Sequence, residues 1–320
     1  MNGNTGLVNL GNTCYVNSIL QILSHIPELN NYLNINKNYN NNIDKILTIE
    51  WIELYNLMWS KNCTICPKRF IYFLKEVSLK KNSFFSSNDQ NDAIEYFYFI
   101  IDCFHNSLNN IDNLNLLQTN NNIVNNAINL YEKENNSIIH NIFSSFIINT
   151  YINSENNKEE FQKIECNFTI ELSIPSLSYN NITIEDCFNH TFKIEDMTDL
   201  WFDEKNNIKK KLKKNTKIGY LPKILVLHLK RWNNLLNKNS NIVTFNNILN
   251  IYPYTIFNDV NNCNYELFGI INHSGNVLSG HYYSYIKKNN TWICFNDEHI
   301  NKVNNIINPD NYCFFYKKIK

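Results

Sequence analysis

Near residue 137 the hydrophobic rhythm of the chain changes, and it does not change back. Before that point apolar residues recur at helical spacing: Val16, Ile19, Leu20, Leu23 and Ile26 in one segment, Ala93, Phe97, Ile101, Phe104 and Leu108 in another. The stretches "IDKILTIEWIELYNLMWS" and "PKRFIYFLKEVSL" read as two further helices, the second with Pro67 suited to a first turn. After that point come short β-branched and aromatic runs: "IFSSFIINTYI", "CNFTIELSI", "KILVLHLKRW", "YELFGIIN", "HYYSYIKK", "TWICF" and "YCFFYKK". "KILVLHL" is apolar at successive positions, as a central strand covered on both faces must be. Helices first and strands afterwards predict an α+β chain, with a helical lobe, a sheet-rich lobe and a cleft between them. Asn-rich stretches near residues 30–42 and 109–136 read as surface loops. There is no internal repeat, and no flexible linker divides the chain.

A chemical question arises at "GLVNLGNTCYVNSILQ", where Cys14 stands just before an apolar helical stripe instead of inside it. Asn12 and Thr13 are candidate caps there. The free N–H groups and positive dipole end of a helix start favour a thiolate, the nucleophilic form of cysteine. Gly6 and Gly11 permit close approach of backbone to a ligand. A thiolate needs a proton acceptor, an orienter for that acceptor and donors for a developing oxyanion. The last sixty residues hold candidates. His281 follows Gly280 at a strand start, and Asn296 ends the strand "TWICF" fifteen residues later, with Asp297 beside it. Two antiparallel strands joined by a short Asn-rich turn bring His281 and Asn296 side by side, which makes a Cys-His-Asn arrangement possible. His228, inside an apolar strand, reads as a satisfied core histidine.

Composition narrows the setting. Hydrophobic residues make up 43% of the chain and aromatics 14%, which predicts a packed globular protein. The formal net charge is zero, so neither nucleic acid nor an anionic membrane is an expected partner. The charge run "KNNIKKKLKKNTK" reads as a solvated hairpin or loop. No signal peptide and no apolar run of about 20 residues is visible. Nine scattered cysteines, an odd number, favour a reducing, intracellular and cytoplasmic location. The abundance of Asn, Ile, Lys, Tyr and Phe fits AT-rich codons, as in a large DNA virus or an AT-rich parasite, and carries no chemistry.

Five segments occur together in one order. "GLVNLGNTCYVNSILQ" resembles the cysteine box of the ubiquitin-specific proteases, the papain-like deubiquitinating enzymes. "NDQNDAIEYF" resembles their acidic segment, and "LPKILVLHLKRW" their central strand. "YELFGIINHSGNVLSGHYYSYI" followed by "WICFNDEHI" resembles their histidine box, and "YCFFYKK" their closing strand. The resemblance implies one papain-like catalytic domain over residues 6–317, with a helical thumb (about 6–136) and a palm and fingers of antiparallel sheet (about 137–317). It implies a thiol-dependent hydrolase acting on ubiquitin and ubiquitinated proteins, cleaving after the C-terminal glycine of ubiquitin. Cys14 would be the nucleophile, His281 the general base and then acid, and Asn296 the orienter. Asn9 matches the oxyanion side-chain donor. Asp297 matches the family's next acidic position, which supports the imidazolium or binds water. Asp92 and Glu95 match positions that bind the basic tail of ubiquitin; spaced by three, their carboxylates are expected on one helix face, where they can grip an arginine fork. His273 and Tyr282 match residues beside the tail channel.

The chain departs from the family at the fingers. "FIINTYINSENN" and "MTDLWFDEKNN" lack the two cysteine pairs that hold zinc in many members, and "CTIC" (Cys63, Cys66) lies alone in the helical lobe. No metal and no cofactor are therefore expected, and the fingers are expected to be short and held by sheet packing. The competing functions are a catalytically weak ubiquitin-binding module and a protease for another ubiquitin-like modifier. Chain linkage, protein targets and oligomeric state are left open.

Overall fold

The computed structural model describes residues 3–319 apart from 37, 110–116, 118, 177–181, 234, 236 and 277–278. The helices are α1 Cys14–Ser24, α2 Pro27–Ile35, α3 Asp44–Ser60, α4 Lys68–Lys80, α5 Ala93–Leu108, α6 Asn122–Glu132, α7 Ile138–Phe143 and α8 Ile184–Thr191. The strands of the helical half are β1 Gly6–Leu7 and β2 Thr64–Ile65. They are followed by β3 Ser145–Asn153, β4 Glu159–Asn167, β5 Ile170–Ser173, β6 Ile182–Thr183, β7 Glu195–Asp196, β8 Trp201–Asp203, β9 Ile208–Lys210, β10 Leu212–Tyr220 and β11 Ile224–Lys230. The last are β12 Val243–Thr244, β13 Ile248–Asn250, β14 Asn264–Gly275, β15 Gly280–Lys288, β16 Thr291–Asn296, β17 His299–Val303 and β18 Asn311–Lys318.

The large sheet runs β17-β16-β15-β14-β18-β11-β5, with β13 beside β14, and only β5 on β11 is parallel. Its two faces are both covered. In β11, Ile224 and Val226 pack into the core around α1, while Leu225 and Leu227 pack into the core on the other face with α8. That two-sided burial is why "KILVLHL" does not alternate. Helix α1 is buried along its whole length and packs on β14, β15, β16 and α5. A helix buried on every face lies inside the body, which puts its first residue at the seam between helices and sheet. A second sheet, β4-β3-β10-β7, extends from this body, with β8 and β9 forming a hairpin at its end.

Four expectations need correction. Residues 30–42 are not simply a loop, because α2 reaches Ile35. Asn30 is buried there and donates to the carbonyls of Leu23 (2.7 Å) and Ile26 (2.9 Å) while accepting from the Trp51 indole (3.1 Å). An asparagine that closes a helix end from inside is satisfied without solvent. Within 109–136 the chain forms α6, capped by the Asn121 side chain, which accepts from the N–H groups of Ile123 and Val124; residues 110–116 and 118 lie outside the described residues. "IFSSFIINTYI" begins inside α7, whose cap is Ser137, so the strand starts only at Ser145. The lysine run at 205–217 is partly structural. Lys210 Nζ lies 2.8 Å from Glu160 and 2.7 Å from Asp203, over the Trp201 ring, while Leu212 is buried.

The core also contains polar groups that resist charging. The His25 ring lies between Trp59 and Phe295 with Nε2 buried and without a partner among the described residues, and burial pushes its pKa down to about 4. A histidine held below its unfolded value costs nothing above pH 6.5, penalises folding increasingly as pH falls, and reaches its full penalty below pH 4. That penalty is roughly 3 kcal/mol. Denaturant midpoints are expected to fall steeply between pH 6.5 and 4, and less steeply in His25→Phe. Equal slopes in the two proteins would contradict this.

Candidate active site

The chain enters through β1, reverses at Gly11 and Asn12 with φ of 87° and 55°, and starts α1 at Cys14. Thr13 is the cap residue, but its side chain does not cap the helix. Asn9 organises the turn instead. Its Oδ1 accepts from the N–H groups of Gly11 and Thr13 (both 3.1 Å) and from the Thr13 hydroxyl (3.2 Å). The Thr13 hydroxyl oxygen in turn accepts from the N–H of Leu10 (2.9 Å). Cys14 is 3% exposed, with its backbone N–H among the first of α1, where no helical partner exists. Gly6 serves a different end from the one expected. A side chain there would meet the Glu298 backbone at 2.5 Å, so this glycine lets β1 lie against the turn after β16 and does not open room for a ligand.

The other half of the site comes from a hairpin. Strands β15 and β16 pair from Ser284↔Phe295 to Lys288↔Thr291, across a turn of Asn289 and Asn290 with φ of 46° and 62°. Those left-handed values match the strand twist, and asparagine tolerates them. The pairing sets His281 beside Asn296, with Nε2 2.6 Å from Asn296 Oδ1. An amide oxygen only accepts, so Nε2 carries the proton and Nδ1 is left for the sulfur. Cys14 opens a helix packed on the His281 strand, and its interaction with the ring, with help from Asn296 and Asp297, pushes the imidazole pKa up to about 9 against its partial burial. The two ends of the chain thus meet at this pair.

Asp297 stands at the turn after β16, with φ 51°. Its carboxylate accepts from Asn9 Nδ2 (2.9 Å) and Asn17 Nδ2 (2.8 Å) and lies 4.0 Å from His281 Nε2. Its carbonyl accepts from the N–H of Leu7 (3.0 Å). Asn17 was not anticipated from the sequence; the only available signal was a polar residue inside an otherwise buried helix.

Beside the pair runs a cleft of about 500 Å³, lined among others by Asp92, Glu95, Glu171, His273, Tyr282 and Tyr312. Asp92 and Glu95 do not present two carboxylates on one helix face. Asp92 is the cap of α5: its Oδ1 accepts from the N–H groups of Ile94 (2.7 Å) and Glu95 (3.2 Å), and its Oδ2 from the hydroxyls of Tyr282 (3.0 Å) and Tyr312 (2.7 Å). Asp followed by Glu at the third position is a helix-start signal, legible in the sequence as such. Glu95 is the exposed carboxylate of the pair, held above the usual range by desolvation and by Asp92. His273 stacks near Tyr282 and Trp232, and burial with Lys238 nearby lowers its pKa to about 4, so it is neutral. Gly280 touches it so closely that a side chain there would meet its Nε2 at 2.0 Å. His228 also lines the cleft, edge-on to Tyr312. Neither of its ring nitrogens has a partner among the described residues, so it is not the satisfied core histidine expected, and burial lowers its pKa. Gln90, likewise unanticipated, reaches across to accept from the N–H of Gly280 (3.0 Å). Cys63 and Cys66 flank β2, half-buried and exposed. Among the described residues no three His, Cys, Asp or Glu side chains group as metal ligands.

Comparison with known proteins supports one assignment. The chain is 29% identical to ubiquitin carboxyl-terminal hydrolase Usp2 of Drosophila melanogaster over 99% of its own length and 35% of that protein. It is 28% identical to human ubiquitin carboxyl-terminal hydrolase 2, over 98% of this chain and 55% of the relative. The chain thus spans between about a third and just over half of these relatives. Among solved structures it resembles the SAGA Ubp8/Sgf11/Sus1/Sgf73 DUB module bound to ubiquitin aldehyde (TM-score 0.79, 24% identity, 100% of this chain and 70% of that one). It also resembles the Ubp8-Sgf11-Sgf73-Sus1 module (TM-score 0.74, 26% identity, 100% and 68%). The fold is therefore that of these papain-like catalytic domains, the helices forming the thumb and the two sheets the palm and fingers. The sequence model of the ubiquitin carboxyl-terminal hydrolases matches residues 5–316, from the strand before the cysteine turn to the closing strand, and the chain belongs to that family.

Proposed function

We propose that this chain is a thiol-dependent deubiquitinating hydrolase, a single catalytic domain over residues 6–317, acting inside the cell on ubiquitin and ubiquitinated proteins. The observation that carries the proposal is the placement of Cys14, at the start of the helix packed on the His281 strand, against an imidazole whose far nitrogen is held by Asn296. The Cys14 thiolate attacks the carbonyl carbon of the terminal glycine. The C–O π pair moves to oxygen, and the oxyanion forms near the Cys14 N–H and the second N–H of Asn9 Nδ2. Collapse expels the amine, which takes a proton from His281 Nδ1 and leaves a thioester on the sulfur. His281 then takes one proton from water, whose oxygen attacks the thioester; the C–S bond breaks, the thiolate reforms beside the imidazolium, and the released acid gives its remaining proton to solvent. Asn296, being neutral, orients the ring without neutralising it, so Asp297 supplies the negative charge. Glu95 and Glu171 give the cleft the acidic character that suits a basic peptide tail, while the tyrosines and Asp92 form its wall.

The test is reaction with ubiquitin bearing a C-terminal electrophile. One adduct, mapped by mass spectrometry to Cys14, is expected, together with release of a fluorophore from the C-terminus of ubiquitin. Binding without an adduct would indicate a receptor instead of an enzyme, and faster turnover of another modifier would reassign the substrate.

A further inference from the structure

Asn17 lies three residues after Cys14 on α1 and is 2% exposed. Its Nδ2 donates to Asp297 Oδ1 (2.8 Å) and to the Leu7 carbonyl (3.2 Å), while its buried Oδ1 has no partner among the described residues. A buried amide with an orphan oxygen is a poor choice for stability, because an apolar side chain at the same place would not carry that cost. What the amide provides, and an apolar side chain does not, is a grip on a carboxylate. The second oxygen of that carboxylate is held by Asn9 Nδ2 (2.9 Å) and lies 4.0 Å from His281. Both amides belong to the segment that carries the sulfur, and the carboxylate belongs to the turn that follows the Asn296 strand. Among the described residues, the titratable groups facing His281 are Cys14 from α1, Asp297 from this turn, His273 from β14 and Tyr283 from its own strand. Asp297 is thus the one carboxylate beside the imidazole among the described residues, and its position is set from the opposite end of the chain.

We propose that Asn17 is a positioning residue: through Asp297 it fixes the charge facing His281 and clasps the cysteine-bearing turn to the histidine-bearing hairpin. It touches neither substrate nor reacting atoms. The inference rests on reading the chain as a cysteine hydrolase, so one of its readouts is independent of turnover. The His281 imidazole is titrated by NMR in the free protein as wild type, Asn17→Leu, Asn17→Ala, Asp297→Asn and the double variant Asn17→Leu/Asp297→Asn. A shift of the His281 midpoint to lower pH, by about one unit or tenfold in proton affinity, is expected in every variant. The double variant is expected to shift no further than Asp297→Asn alone, since Asn17 acts only through the carboxylate that Asp297→Asn removes. The alkaline limb of kcat/KM on a ubiquitin C-terminal fluorophore should move with the midpoint. The Asn17→Leu variant keeps the branched shape of the side chain, Asn17→Ala avoids any overpacking, and thermal melts establish which of them is folded. A His281 midpoint unchanged in folded Asn17→Leu, or shifts that simply add in the double variant, would overturn the clasp. Wild type that titrates as expected but does not turn over would overturn the hydrolase reading alone.

Discussion

Cys14→Ala, His281→Ala and the double variant are expected to fall to the same floor in kcat/KM, roughly four orders of magnitude or more below wild type. In the proposed mechanism the two side chains act as one group. Without the imidazole, no protonated base stands beside the sulfur to favour the thiolate, and nothing delivers a proton to the leaving amine. Without the sulfur, a correctly held imidazole has no nucleophile to serve. The second removal therefore finds nothing left to destroy. Asn296→Ala should lose less, on the order of 10²-fold, equivalent to about 2.7 kcal/mol of barrier. That matches the worth of one charge-assisted hydrogen bond, and Asp297 still lies 4.0 Å from the ring. Steady-state rates with active-site titration separate these cases. A Cys14→Ala protein that still turns over, or a His281→Ala protein within tenfold of wild type, would remove that residue from its role.

The same proton linkage sets the alkaline boundary. His281 is held near 9, above its unfolded value, so its charged form supports the folded state fully below pH 6.5, and that support is lost as pH rises through 9. Activity that needs the imidazolium to protonate the leaving amine has its upper limb in the same range.

What was legible in the sequence follows from interaction range. Helix α1, the β15–β16 hairpin and the pairing of His281 with Asn296 follow from local periodicity and a two-asparagine turn, both short-range signals. The helices hidden in the Asn-rich stretches did not, because composition reports average solvation while Asn30 and Asn121 are used singly, one as an internal plug and one as a cap. Asn17 and Asp297 lie 280 residues apart, a pairing that only the closed fold reveals. The role of Asp92 is hidden from the sequence for another reason. A resemblance marks a position as important without saying whether its oxygens are free, and here both are taken by backbone and tyrosine donors.

Asp92→Ala is accordingly expected to damage stability as well as binding. Removing the cap of α5 costs about 1 kcal/mol. The hydroxyls of Tyr282 and Tyr312, both buried, lose their acceptor, at about 1–3 kcal/mol for each one left unpaired. Together these amount to roughly 3 kcal/mol or more, a drop in Tm of roughly 5–10 °C for a chain of this size. Asp92→Asn separates the two contributions. Its remaining oxygen still caps the helix as well as aspartate does, but its NH₂ group faces two hydroxyls that must turn round to accept. It should recover the cap and only part of the tyrosine contribution, melting between Asp92→Ala and wild type. Glu95→Gln, at an exposed position on the same cleft, should leave Tm unchanged and raise KM alone. Calorimetric melts alongside KM and kcat for the three variants make the comparison. An Asp92→Ala protein that melts with wild type while KM rises would mean that the carboxylate serves the substrate directly, and that the four hydrogen bonds drawn to it here contribute nothing net to the fold.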